Sequence, residues 1–355
     1  MTRIDKVLEK AAIGAQEGVI IHKPSNIFHL SGYTGEGILV FGHGFQAIIT
    51  DFRYTEQAEN QAPGFQVLMV GKGLSHIMLA KQVFDEHGIT AARFEDDEVT
   101  VRTFRRMEEV LTGITLSPLN LVPEMVRRIK DAEEIAAIEE ACAISCKAFD
   151  ALLPHIKEGV TEKQLQIILD NLLLEMGADS LAFDTIVASG ENGSLPHAIP
   201  GNRKICKGDM ITFDFGAKKR GYCSDMTRTV SLGQPKEEMR VIYETVLKAQ
   251  DECEKMLRPG ICCKTVDDHA HAVIDGAGYH GRFGHGLGHA VGIDIHEEPR
   301  LSQFCEDLLE VGHVVTVEPG IYVPGLGGVR IENTCVITED GARTLVHAQK
   351  ALLIL

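Results

Sequence analysis

The sequence predicts an α+β protein in two parts, a smaller α/β domain followed by a larger half built on an internal duplication. Three observations carry this reading. Strand-like and helix-like segments alternate up to about residue 122, a break follows at Pro123, and beyond it a helix, a strand and a hairpin pattern occur twice. The two copies lie about 100 residues apart, the spacing of a duplicated structural unit.

Composition bounds the function. At 355 residues the chain is long for one core and comfortable for two domains. Hydrophobic residues make up 44% and mean hydropathy is +0.00, as in a soluble globular protein. A net charge of −16 argues against a general nucleic-acid binder, which needs a Lys/Arg surplus, and is compatible with clustered carboxylates that hold metal. Nine cysteines with no CxxC pair suggest reduced thiols and a cytoplasmic setting. The N-terminus has no continuous apolar stretch of signal-peptide type, and no run is long enough to span a bilayer. The expectation is a protein neither secreted by that route nor membrane-spanning.

In chain order, residues 4–15 read as a helix and 18–22 as a buried strand. Residues 26–35, NIFHLSGYTG, read as a strand running into a glycine-rich turn. Residues 38–41 and 46–50 form a strand pair, 66–70 a further strand, and 77–87 a helix ended by Gly88. His22, His29 and His43 have no clustered acids near them and read as structural. The predicted domains are 1–122 and 127–355.

The second part opens with a helix over 132–153 capped by Asp131. Thr161 with Gln164 is a capping-box pattern for a helix reaching Met176 and ended by Gly177. The stretch MITFDFGAKKRGYCSDMTRTV, residues 210–230, then reads as a β-hairpin, because Ile211, Phe213 and Phe215 alternate with polar or small residues. With the turn centred between Lys219 and Arg220, Asp214 lies opposite Asp225. Such a pair repels unless a proton or a cation offsets it. Alone, it reads as a solvated hairpin whose acids splay apart.

The duplication changes that reading. Residues 157–177 align without gaps to 258–278, matching Gly159 to Gly260, Leu165 to Val266 and Gly177 to Gly278. Residues 208–216 align with 312–320, placing Asp214 on Glu318, and 221–227 align with 328–334, placing Asp225 on Glu332. The two halves are expected to pack around a pseudo-twofold axis with four acids facing across it. Glu318, Glu332 and Arg330 should point into one cleft, with Ile331 toward the core. Four clustered carboxylates without cations are costly, and two divalent ions about 3.5–4 Å apart would account for them.

Imidazole is available too. GRFGHGLGHAVGIDIHEEP, residues 281–299, holds His285, His289 and His296, one of which could complete the site. The spacing is not HExxH, which disfavours a single zinc on a helix. SGENGSLPHAIPGNR, residues 189–203, reads either as an ordinary loop or as one that brings His197 to the site.

The ordered segments SLPHAIPGNR, FDFGAKKRGYCSDMTRT, GHGLGHAVGIDIHE, VEPGIY and GVRIEN resemble the pita-bread metallopeptidases, within them the Xaa-Pro dipeptidase (prolidase) and aminopeptidase P branch. The resemblance runs from about residue 127 to the end, and NIFHLSGYTG resembles that branch's first domain. It implies a pita-bread catalytic fold behind a creatinase-like N-terminal domain. It also implies two divalent metal ions, with Mn²⁺ favoured by the carboxylate-rich donor set and Co²⁺, Zn²⁺ or Fe²⁺ open. Asp214 would chelate one, Asp225 and Glu332 would bridge both, and His289 and Glu318 would hold the other. His197, His285 and His296 fall where the family places substrate-binding and proton-transfer histidines, and Arg330 where it has an arginine beside the site.

The implied activity is hydrolysis of the Xaa-Pro bond of dipeptides or short peptides by metal-activated water. Glu318 would relay the proton, His296 would polarise the carbonyl and His197 would assist the leaving proline nitrogen. A cytoplasmic homodimer is expected, with no nucleic-acid or membrane partner. The alternatives are an aminopeptidase P acting on longer peptides and a metal-free binding protein on the same fold. A creatinase-like hydrolase is disfavoured, since that branch lacks the full metal set and every ligand position is filled here.

Overall fold

The computed structural model describes residues 1–355, which divide into two compact units, Met1–Arg127 and Arg128–Leu355. The first runs α1 (Arg3–Lys10), β1 (Glu17–Ile21), α2 (Pro24–Ser31), β2 (Ile38–Gly42), β3 (Phe45–Thr50), α3 (Thr55–Gln61), β4 (Gln66–Met69), α4 (His76–Glu86), β5 (Ala91–Phe94), α5 (Val101–Val110), β6 (Thr115–Pro118) and α6 (Val122–Arg127). Its six strands form one mixed sheet in the order β4-β3-β2-β1-β5-β6. Both faces of that sheet are covered, Val19, Ile21 and Leu39 on one side and Ile20, Val40 and Phe84 on the other. The near-continuous apolar runs of β1 and β2 follow from this double burial.

Three expectations for this unit change. Residues 24–31 are the helix α2, not a strand. Pro24 opens it and Gly32, at φ 80°, closes it in the left-handed conformation. The apolar cluster NIFHL reads equally as a short strand or a buried helix, and the flanking Pro and Gly decide for helix. The first helix also stops at Lys10, five residues short of the expected end. Pro123, expected to break the chain, lies in the first turn of α6, where its missing N–H costs nothing.

The second unit runs α7 (Ala132–Leu152), α8 (Glu162–Glu175), β7 (Ser180–Leu181), β8 (Ile186–Ser189), β9 (Met210–Phe215), β10 (Ala217–Lys219), β11 (Tyr222–Cys223), β12 (Met226–Ser231), α9 (Glu237–Met256) and α10 (Cys263–Gly276). It continues through β13 (Gly288–Ala290), β14 (Glu297–Leu301), β15 (Val314–Val317), β16 (Gly320–Val323), β17 (Gly327–Arg330), β18 (Asn333–Thr338) and β19 (Gly341–Thr344). Every strand pair in it is antiparallel, with two sheets, β12-β9-β8 and β14-β13-β15-β18-β19, forming its centre. Asp131 and Thr161 cap α7 and α8 with reciprocal side-chain bonds, as the capping patterns predict. Phe149 of α7 packs its ring on Phe213 and Phe215 of β9, which seats the first hairpin.

The duplication is visible in the backbone bonds. Gly159 N donates to Ile205 O and Gly260 N to Leu309 O, at 2.9 and 2.7 Å. Glu162 N donates to Arg203 O and Cys263 N to Asp307 O, at 3.1 and 2.9 Å. In both halves the two donors are three residues apart and the two acceptors two residues apart, and α8 and α10 are each 14 residues long.

The register of the first hairpin departs from the expectation. Arg220 and Gly221 both have positive φ, 51° and 83°, the geometry of a two-residue hairpin turn closed by Lys219 and Tyr222. The turn centre lies one residue further on than expected, so Asp214 faces Thr227, not Asp225. Because side chains alternate with period two, Asp225 remains on the same face, diagonal to Asp214.

Candidate metal centre

Four strand segments converge on one cavity of about 460 Å³ in the second unit. Every site residue expected from the sequence lines it: His197, Asp214, Asp225, His285, His289, His296, Glu318, Arg330 and Glu332. Asp214 is on β9, Asp225 precedes β12, His289 is on β13, and Glu318 and Glu332 lie where β15 passes to β16 and β17 to β18.

Local structure aims these groups. The β13–β14 pair shifts register between His289 and Ala290, a bulge of the kind that redirects a side chain. Gly288 is required there, since a Cβ at that position would sit 2.2 Å from Thr316 O. His289 N donates to Thr316 Oγ1 at 3.0 Å, and that hydroxyl donates to Glu318 Oε1 at 3.1 Å. His289 Nδ1 lies 3.1 Å from Ala290 O. A carbonyl only accepts, so Nδ1 carries the proton and Nε2 turns its lone pair to the cavity. Nε2 is 3.3 Å from Glu318 Oε1 and 3.5 Å from Asp225 Oδ2.

The two hairpins are tied to each other beneath the acids. Glu332 N donates to Thr227 O, Thr227 Oγ1 donates to Glu332 Oε2 at 2.7 Å, and Thr334 Oγ1 donates to Asp225 O at 2.8 Å.

The carboxylates are only partly satisfied by the chain. Asp214 Oδ1 and Glu332 Oε1 are buried without a hydrogen-bond partner. Burial and the neighbouring acids push Asp225 and Glu332 well above the usual carboxylate range. For Asp214, burial raises the pKa and the Arg330 guanidinium works against it. One ligand atom each of Asp225, His289 and Glu332 lies within 4.8 Å of the others. Converging carboxylate oxygens, two of them without a partner, beside one imidazole fit divalent cations.

A second network adjoins the acids. Arg330 Nη1 donates to Tyr322 Oη at 2.9 Å, and that hydroxyl lies 2.8 Å from His285 Nε2. His285 Nδ1 faces Gly286 O at 2.9 Å, so its proton is there, and Tyr322 donates to Nε2. His285 is thereby neutral, in keeping with a pKa lowered first by burial. Burial, with His289 and Arg300 nearby, takes His296 down to about 4. Its ring meets that of His289 edge-on at 4.5 Å. His197 reaches the cavity from an exposed position.

Sequence reasoning missed Tyr322, although alternation from Glu318 through Gly320 places it on the face of Glu318. It missed Arg300 and Ser302, which line the cavity; Arg300 pairs with His289 across β13 and β14. No local pattern marked them.

A carboxylate cage with one imidazole, at the centre of a duplicated antiparallel fold, defines a divalent-metal hydrolase. Residues 136–339 match Metallopeptidase family M24, and residues 3–129 match the Creatinase/Prolidase N-terminal domain. The chain belongs to family M24. It is 42% identical to the uncharacterized peptidase YqhT of Bacillus subtilis, over 96% of each chain. It is 35% identical to an Xaa-Pro dipeptidase of Pyrococcus furiosus, over 99% of each. The solved structure of an Xaa-Pro dipeptidase from Bacillus anthracis superimposes with a TM-score of 0.95, at 35% identity over 99% of both chains. The protein is an enzyme of the prolidase branch, and its family implies divalent metal ions.

Proposed function

We propose that this protein hydrolyses the Xaa-Pro bond of dipeptides, with two divalent cations, Mn²⁺ foremost, held by Asp214, Asp225, His289, Glu318 and Glu332. The observation that carries the reading is the set of unsatisfied carboxylate oxygens converging with His289 Nε2. Cations there supply Lewis acidity and lower the pKa of water toward neutrality.

The remaining work falls to the chain's own groups. Glu318 accepts a proton from the attacking water and returns it. His296, neutral at pH 7, donates an N–H bond to the scissile carbonyl oxygen. His197 serves the proline nitrogen, which must gain a proton to leave. Arg330, anchored by Asp214 and Tyr322, and the neutral His285 bound the substrate's side of the cavity. The cavity volume is at the lower end of the range for small-ligand sites, which suits a dipeptide better than a long peptide.

No helix is long and apolar enough to cross a membrane. A cytoplasmic homodimer is part of the proposal, and sedimentation of the purified chain tests the dimer. For activity, Ala-Pro, Ala-Pro-Ala and Ala-Ala are compared with Mn²⁺ and with chelator. Mn²⁺-dependent cleavage of Ala-Pro alone is expected. Cleavage of Ala-Pro-Ala would favour an aminopeptidase, and equal cleavage of Ala-Ala would remove the proline preference.

A further inference from the structure

Glu162, at the first turn of α8, has no exposed surface. A buried carboxylate is costly unless its oxygens are hydrogen-bonded. Here every donor comes from a single loop. Oε1 accepts from Ser189 N at 2.8 Å, Ser189 Oγ at 2.7 Å and Asn192 Nδ2 at 3.1 Å. Oε2 accepts from Asn192 Nδ2 at 3.1 Å and Gly201 N at 3.2 Å. Ser189 is where the chain leaves β8 and Gly201 is where it returns toward α8, so one carboxylate holds both ends of the loop. Between them lie Pro196 and His197, both in the cavity wall. Within the loop Leu195 is 57% and Ile199 89% exposed, Ala198 is buried, and Arg330 Nη1 donates to Pro196 O at 3.3 Å, so Glu162 anchors the two ends and Arg330 the middle.

The duplication shows that the scaffold does not need this acid. Cys263 occupies the equivalent place in α10, is equally buried, and makes the same backbone bond. The costly group is confined to the half whose loop carries His197.

We propose that Glu162 is a positioning residue, whose buried carboxylate pins the 189–201 loop and so keeps His197 at the cavity. The proposal rests on the reading of His197 as a substrate-contacting group. The test is Glu162→Gln, made alone and with His197→Ala, in the Mn²⁺-loaded full chain. Kinetics on Ala-Pro are paired with hydrogen exchange across 189–201. Glu162→Gln keeps the shape but swaps an acceptor for a donor. It should lower kcat/KM by up to about 100-fold, the cost of a misplaced group, with bound metal unchanged and loop exchange faster. In the His197→Ala background it should add no further loss. A full additional loss there, or unchanged loop exchange, overturns the proposal. Should the wild type cleave no Xaa-Pro peptide, the functional reading falls and loop exchange alone decides the role of Glu162. If Glu162→Gln does not fold, Asn192→Ala, which removes a donor from the loop side, is measured in the same way with the same criteria.

Discussion

Arg330 Nη2 lies 2.5 Å from Asp214 Oδ2, joining the return strand of the second hairpin to the outgoing strand of the first. The pair is buried, with side-chain exposures of 4% and 14%. It sets one acid of the cage apart from the others, because no guanidinium bonds the carboxylates of Asp225, Glu318 and Glu332; Arg228 reaches only the backbone carbonyl of Glu332. The guanidinium is a fork whose second arm reaches Tyr322 and whose Nε donates to nothing on Asp214 but faces Thr227 Oγ1 at 3.2 Å. One cation thus organises both hairpins.

Tyr322→Phe tests that network. The variant leaves His285 Nε2 and Arg330 Nη1 each short of a partner. Loss of a hydrogen bond to a charged group costs about 1.5–3 kcal/mol. Realised in the transition state, that is about 10- to 100-fold in kcat/KM. Metal content, measured by elemental analysis, should not change. An unaltered kcat/KM would show that Tyr322 only packs.

Asp225→Asn separates stability from function. In chelated protein, Asp225 is raised by burial, then by Glu332, Asp214 and Glu318. Removing its charge relieves that repulsion, at about 1.4 kcal/mol for each pK unit relieved. The chelated variant should therefore melt higher than chelated wild type. With saturating Mn²⁺ the order should reverse, because ligand at 100 times its Kd stabilises the wild type by about 2.7 kcal/mol. Activity and bound metal should both be lost. A variant that binds metal normally would refute the ligand assignment.

His313 gives a pH dependence away from the cavity lining. It is buried, and its Nδ1 accepts from Glu310 N at 3.0 Å, so it is neutral. Burial, aided by Arg128 and Lys130, lowers its pKa from 6.5 to about 4. Between those values the unfolded chain binds the extra proton. The contribution is complete above pH 6.5 and is lost as pH falls through 4, up to about 3 kcal/mol. His313→Asn keeps an acceptor and removes the titration. Urea unfolding at pH 7.5 and 5.0 should show the wild type losing more stability than the variant. Equal losses would mean that His313 does not titrate in this window.

The cage was legible in the sequence because duplication writes the same local code twice. Thr-x-acid alternation, glycines at matching turns and capping boxes depend on neighbours within a few residues, where period and propensity operate. The register error in the first hairpin did no harm to the site, since a shift of two preserves the face. The helix α2 was misread for a local reason too: a five-residue apolar cluster carries too little periodicity to separate helix from strand.

What the sequence determined by itself was the set of acids and histidines that line the cavity, the duplication behind the acids and the face on which each acid stands. Only the tertiary structure decided which groups meet: Asp214 with Arg330, Tyr322 with His285, and Glu162 with the loop that carries His197. Two of these partnerships join residues 116 and 37 positions apart, and the third reaches 27 and 39 positions to the two ends of one loop. Side-chain alternation tells a residue which way to face. Which group faces it is settled only by the tertiary fold, across the two halves for Asp214 and Arg330 and within one half for the other two partnerships, because a buried polar group takes the partner that the surface packed against it presents.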